Sequence, residues 1–145
     1  MKTYAVDASV AVKWFLEEED QDAAVRLADQ FEENKIRLVV PDFFFVEMAN
    51  VFWSKTAGNL LKVSEGVAMM GKLMKLGLKR YSDYELSDVA LENALHLDIS
   101  VYDAMYVSLA EVYAAPLVTA DEGLIKACRR RRFHWITPLQ ALSPQ

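Results

Sequence analysis

Short apolar runs of strand-forming residues, spaced along the chain and separated by longer stretches of helical periodicity, constrain the fold more than any other feature of this sequence. TYAV (3–6) ends at Asp7, RLVV (37–40) is closed by Pro41, and LVTA (117–120) ends at Asp121. KRYS (79–82) and FHWI (133–136) are weaker candidates of the same kind. Between these runs a short helix is expected through Phe15, followed by a second in which Ala23, Ala24, Leu27, Ala28 and Phe31 keep helical spacing. FFFVEMANVFWSK follows Asp42, which is placed to act as its N-cap, and Gly58 and Asn59 stop it. Further helices are expected over Val63–Lys75, Tyr84–His96, VYDAMYVSLAEVYAA (101–115) and Glu122–Arg132. Parallel strands need long crossovers, and strands alternating with helices supply them. The expected fold is therefore α/β: a three-layer α/β/α sandwich around a central, mainly parallel sheet of four to five short strands. A chain of 145 residues holds one such domain, spanning 1–145, with no room for a second full core.

Composition narrows the function. A net charge of −5 argues against a protein that coats nucleic acid by bulk attraction, though a local basic rim can coexist with an acidic site. The single Cys128 cannot form an intrachain disulfide. Asp7 and Lys13 interrupt the apolar start MKTYAVDASVAVKWF, so it is not read as a secretory signal. No uncharged apolar run reaches the roughly 18 residues of a membrane span. The expectation is a soluble, cytoplasmic protein with no membrane partner. A hydrophobic fraction of 53% suggests a well-filled core or an apolar surface shared with a partner.

The chain has 21 acidic residues, and most, such as Glu17, Glu18, Glu19 and Asp20, sit in polar stretches where a solvated surface explains them. Asp7, Glu47, Asp103 and Asp121 differ because their neighbours are apolar. Desolvating a carboxylate costs several kcal/mol, so a buried one needs a partner, and no cation in these runs could serve all four. Brought together without a counter-ion they would repel one another and take up protons. A divalent cation resolves the conflict, because hard ions prefer carboxylate oxygens. Asp7 and Asp121 both follow strands, at the end of a parallel sheet where ligands bind. Polar companions accompany the acids: Ser9 two residues after Asp7, Thr119 two before Asp121, and Asn50 one turn beyond Glu47. These are candidates to orient the carboxylates or hold water behind the ion. Taken singly, Asp7 also reads as a turn residue, Asp103 and Asp121 as helix caps, and Glu47 as a surface residue.

The ordered set VDAS, PDFFFVEMAN, VYDAMYVSLA and LVTAD resembles the PIN-domain ribonucleases, most closely the VapC-type toxins of prokaryotic toxin–antitoxin pairs. The resemblance runs from Val6 to about Pro138. It implies RNA cleavage dependent on Mg²⁺ or Mn²⁺, with Asp7, Glu47, Asp103 and Asp121 as catalytic metal ligands. It also implies an antitoxin partner that blocks the site, and a homodimer. Lys126 with Arg129 and Arg130, in the run Arg129–Arg132, are candidate RNA-phosphate contacts, although cations also favour a helix C-terminus. His96 and His134 lack partners at zinc-ligand spacing. Phe43, Phe44 and Phe45 cannot all face one way on a helix, so at least one is expected to reach a partner.

Two other readings stay open at this point. One is an aspartyl-phosphate phosphatase with Asp7 as nucleophile, although such enzymes usually carry a second acid where Ser9 stands. The other is a catalytically silent module that keeps the fold and its acidic pocket for binding.

Overall fold

A computed structural model describes residues Met1 to Leu142. In chain order the elements are β1 (Lys2–Val6), α1 (Ala8–Ala11) running into a 3-10 turn (Val12–Trp14), α2 (Gln21–Glu32), β2 (Ile36–Pro41), α3 (Phe44–Ala57) and α4 (Val63–Met74). They continue as β3 (Lys79–Tyr81), α5 (Asp83–Leu97), α6 (Val101–Val112), β4 (Leu117–Thr119), α7 (Glu122–Arg130) and β5 (Ile136–Pro138). The sheet order is β3-β2-β1-β4-β5, and every pairing is parallel. Ala5 and Val6 point to opposite faces of the sheet, yet both are fully buried; Leu117 and Val118 repeat the pattern. Helices therefore cover both faces, as the three-layer expectation requires. α6 packs across β1, β2 and β4, and its residues Ala104–Ala110 are all buried.

The chain leaves β1 toward one side, through β2 and β3, and returns to place β4 on β1's other side. Neighbouring strands whose connections depart in opposite directions open a crevice at their carboxyl ends. Here that crevice lies between β1 and β4, where Val6 pairs in register with Val118. Asp7 and Asp121 follow those two strand ends.

Three local expectations need correction. The last strand is Ile136–Pro138, not 133–136. α7 stops at Arg130, Arg132 adopts a left-handed φ of 55°, and Phe133 N–H bonds back to Cys128 O, so residues 131–133 close the helix. Asp42 does not cap α3 through its side chain; the carboxylate of Asp83, from the start of α5, accepts from Phe43 N–H at 3.2 Å instead. Phe44 is fully buried, while Phe43 and Phe45 pack against the core and keep part of their surface accessible. The strongly exposed aromatic of this helix is Trp53, at 67%. No helix among the described residues is long and apolar enough to cross a membrane.

Candidate metal centre

Asp7 occupies the hinge between β1 and α1. Its backbone carbonyl accepts from Val10 and Ala11 N–H, which starts the helix, and its side chain is free to turn toward β4. Ser9 Oγ donates to Asp7 Oδ1 and Thr119 Oγ1 donates to Oδ2, both at 2.5 Å. Those hydroxyls are themselves fixed by strand β4's exit: Ala120 N–H donates to Ser9 Oγ at 2.9 Å and Asp121 N–H to Thr119 Oγ1 at 3.1 Å. Each hydroxyl has one proton, and Asp7 receives it, so the 3.2 Å Ser9–Thr119 contact is close packing rather than a further full hydrogen bond. The side chains singled out beside Asp7 and Asp121 thus tie β1 to β4 through one carboxylate.

Glu47 lies in the first turn of α3, where Tyr106 Oη donates to its Oε1 at 2.6 Å. Tyr106 is only 2% exposed and packs on the Phe43 ring at 5.2 Å between centroids. Asp103 lies in the first turn of α6, but Ser100 is the cap there, accepting from Asp103 N–H at 3.1 Å. The Asp103 carboxylate makes no hydrogen bond among the described residues. Asp121 does cap its helix: Oδ1 accepts from Leu124 N–H at 3.1 Å, leaving Oδ2 open. The cap and site readings of Asp121 are compatible.

All four acids line one open cleft of about 350 Å³, with Ser9, Glu18, Val51, Lys55 and Tyr106 also in its wall. Burial pushes Asp7 up to about 6; the Ser9 and Thr119 bonds oppose the rise, and the charges of Glu47 and Asp121 add to it. Burial also raises Glu47, partly offset by the Tyr106 bond and reinforced by Asp103. Asp103 is raised by burial and then by Asp121, with Ser100 pulling the other way. These are anions short of a counter-charge. The donor set is entirely oxygen, and neither imidazole nor thiol is part of it, which suits a hard divalent ion and not zinc. Among the described residues no three acidic, imidazole or thiol groups form a ready-made cage. Without an ion the carboxylates repel one another, and Asp7, Glu47 and Asp121 are each held by a different hydrogen-bond partner.

The other candidates are placed differently. Asn50 is exposed, is not in the cleft wall, and makes no hydrogen bond to Glu47 among the described residues. The stripe of α3 that faces the cleft is Glu47, Val51 and Lys55, at intervals of four residues. Lys126 and Arg129 line a separate depression with Pro138 and Gln140, and Arg130 is exposed outside both. Cys128 is buried, its thiol pushed up to about 11 by desolvation first and by Asp103 second. Sequence reasoning did not single out Tyr106 or Lys55 and took Glu18 for plain surface. Lys55 had a signal, two four-residue steps from Glu47.

The PIN domain family model matches residues 4–130 of the chain. The protein is 34% identical over 121 residues to Ribonuclease VapC3 of Pyrobaculum aerophilum, covering 82% of this chain and 89% of that one. Its fold is similar to the crystal structure of PAE2754 from Pyrobaculum aerophilum, with a TM-score of 0.70 and 22% identity over 96% of this chain and 85% of the other. It is also similar to VapBC2 of Rickettsia felis, solved bound to a DNA fragment from its promoter, with a TM-score of 0.69 and 14% identity over 94% and 98%. The all-parallel sheet, the crevice between β1 and β4 and the extent of these matches lead to one conclusion: the chain belongs to the PIN-domain family.

Proposed function

We propose that the protein is a divalent-metal-dependent RNA endonuclease and the toxin of a type II toxin–antitoxin pair, with Mg²⁺ or Mn²⁺ as its cofactor. The observation that carries the reading is the gathering of carboxylates from four separate elements, β1's end, α3, α6 and the cap of α7, in one cleft at the sheet's carboxyl edge. Identity of 34% to a protein named as a ribonuclease supports the reaction class. Asp7, Glu47, Asp103 and Asp121 would hold the ion. When bound, it would supply Lewis-acid polarisation of water and charge stabilisation at the phosphate.

The chain's own residues set up that chemistry. Ser9 and Thr119 fix the plane of the Asp7 carboxylate and favour its charged form. Tyr106 holds Glu47 by one oxygen and leaves the other facing the cleft. Asp103, with no hydrogen bond among the described residues, has both oxygens available to the ion or to a water proton. Ser9 stands where a phosphatase using Asp7 as nucleophile would carry its second acid, which favours the nuclease.

An antitoxin, RNA as substrate, a homodimer and a cytoplasmic location complete the proposal. Exposed Val46 and Trp53 on α3, with Val63 and Val67 on α4, offer apolar area for a protein partner. The test is cleavage of RNA by purified protein with Mg²⁺ or Mn²⁺, with and without chelator. Asp7→Asn and Asp103→Asn should both be inactive, and neither should cause the growth arrest expected on expression of the parent. RNA cleavage retained by both variants would sink the assignment; metal binding without cleavage would leave a silent binding module.

A further inference from the structure

Lys55 is the one basic side chain among the described residues that lines the acidic cleft. It shares that wall with five acids, Asp7, Glu18, Glu47, Asp103 and Asp121. A lysine so placed would be expected to pair with one of them, yet the ion pair found among the described residues is Lys35 with Glu33, on another surface. The Lys55 ammonium makes no side-chain hydrogen bond there either, although the residue is half-buried. Helix geometry explains the separation. Eight residue steps separate the α-carbons of Glu47 and Lys55, about 12 Å of rise, and side chains lean back toward the helix N-terminus. Lys55 therefore shares the cleft wall with the acids without pairing with any of them.

We propose that Lys55 is a substrate-binding residue, holding a non-bridging oxygen of the RNA backbone beside the carboxylate cluster; this rests on the nuclease reading. A phosphodiester entering a cleft walled by carboxylates meets like charge, and attraction at short range must be supplied locally. The basic residues of α7 do not supply it there, since Lys126 and Arg129 line a separate depression. An ammonium left unpaired in the free protein forms its charge-assisted bond when substrate arrives.

The test compares the full chain with Lys55→Gln, Lys55→Arg and Lys35→Gln. Fluorescence anisotropy with a labelled single-stranded RNA of mixed sequence, and Ca²⁺ in place of Mg²⁺, reads binding across a salt series. Lys55→Gln should bind about tenfold more weakly, the loss of one charge-assisted bond. Its plot of log affinity against log salt should be shallower by about 0.7, one phosphate contact on a single strand. Lys55→Arg should keep the parent's slope, and Lys35→Gln, on the other surface, should match the parent in both. Parent-like affinity and slope in Lys55→Gln would overturn the inference. Cleavage by the parent in Mg²⁺ separates the two claims. Cleavage with Lys55→Gln binding unchanged removes only the role of Lys55, whereas a parent that neither cleaves nor binds RNA removes both.

Discussion

Replacing Asp7 by Asn should stabilise the metal-free protein while abolishing its activity. The carboxyl is 6% exposed, and its ordinary value of 3.8 rises to about 6 in the folded chain. Below pH 4 both folded and unfolded chains carry the proton and burial of the group is free of charge. Between about pH 4 and pH 6 the unfolded chain has lost the proton while the folded chain keeps it. Stability therefore falls as pH rises through that window, and the deficit persists above it. About two pH units correspond to ~3 kcal/mol. The Asn side chain resembles the protonated acid: its oxygen accepts from one hydroxyl, and its amide donates to the other, which can turn its proton away. With a urea slope of about 2 kcal/mol per M, the variant's midpoint at pH 7.5 in chelator should lie roughly 1.5 M above the parent's. At pH 4 the two should converge. Metal at about a hundred times its Kd should return ~2.7 kcal/mol to the parent and little to the variant, nearly closing the gap. A parent at least as stable as Asp7→Asn in chelator at pH 7.5 would refute the view that this carboxylate is an uncompensated buried anion.

The remaining predictions probe the same cleft. Tyr106→Phe removes the bond that lowers Glu47, so the acid limb of the pH–rate profile should move to higher pH, with a stability loss of about 1.5 kcal/mol; an unmoved limb would show that Tyr106 does not govern Glu47. Asp121→Asn keeps an N-capping side chain but removes the charge, so metal affinity should fall while thermal stability holds. Asp121→Ala should lose metal affinity and a further ~1 kcal/mol of stability; calorimetry on the pair separates the cap from the site. Thr119→Val should raise Asp7 further, extending to higher pH the upper edge of the window over which metal-free stability falls in urea titrations.

The parallel sheet was legible because each of its inner strands is a short apolar run, and Asp7 and Asp121 were legible because they interrupt apolar sequence right after those runs. Glu47 and Asp103 stood out for the same reason within helices. Their surroundings were harder. Asn50 looked like Glu47's companion at three residues, but the cleft follows the four-residue stripe through Val51 and Lys55. Tyr106 lies in a helix buried at seven successive positions, so periodicity offers no face on which to place its hydroxyl. The carboxylate that meets Phe43 N–H comes from forty residues away, a partnership that local capping rules cannot anticipate. FHWI has strand-like composition, but the chain spends its first residues closing α7, and pairing begins at Ile136.

The register that places Val6 beside Val118 gives the site a fixed half and an adjustable half. Asp7 and Asp121 hang from adjacent strands, whose separation of about 4.8 Å is dictated by backbone hydrogen bonding and is indifferent to side-chain identity. Glu47 and Asp103 ride on helices, whose seating depends on the volume of residues such as Phe44, Met48 and Met105. Repacking beneath α3 or α6 can thus retune the aperture, and with it the choice between a smaller and a larger cation, while the strand-borne pair stays in place.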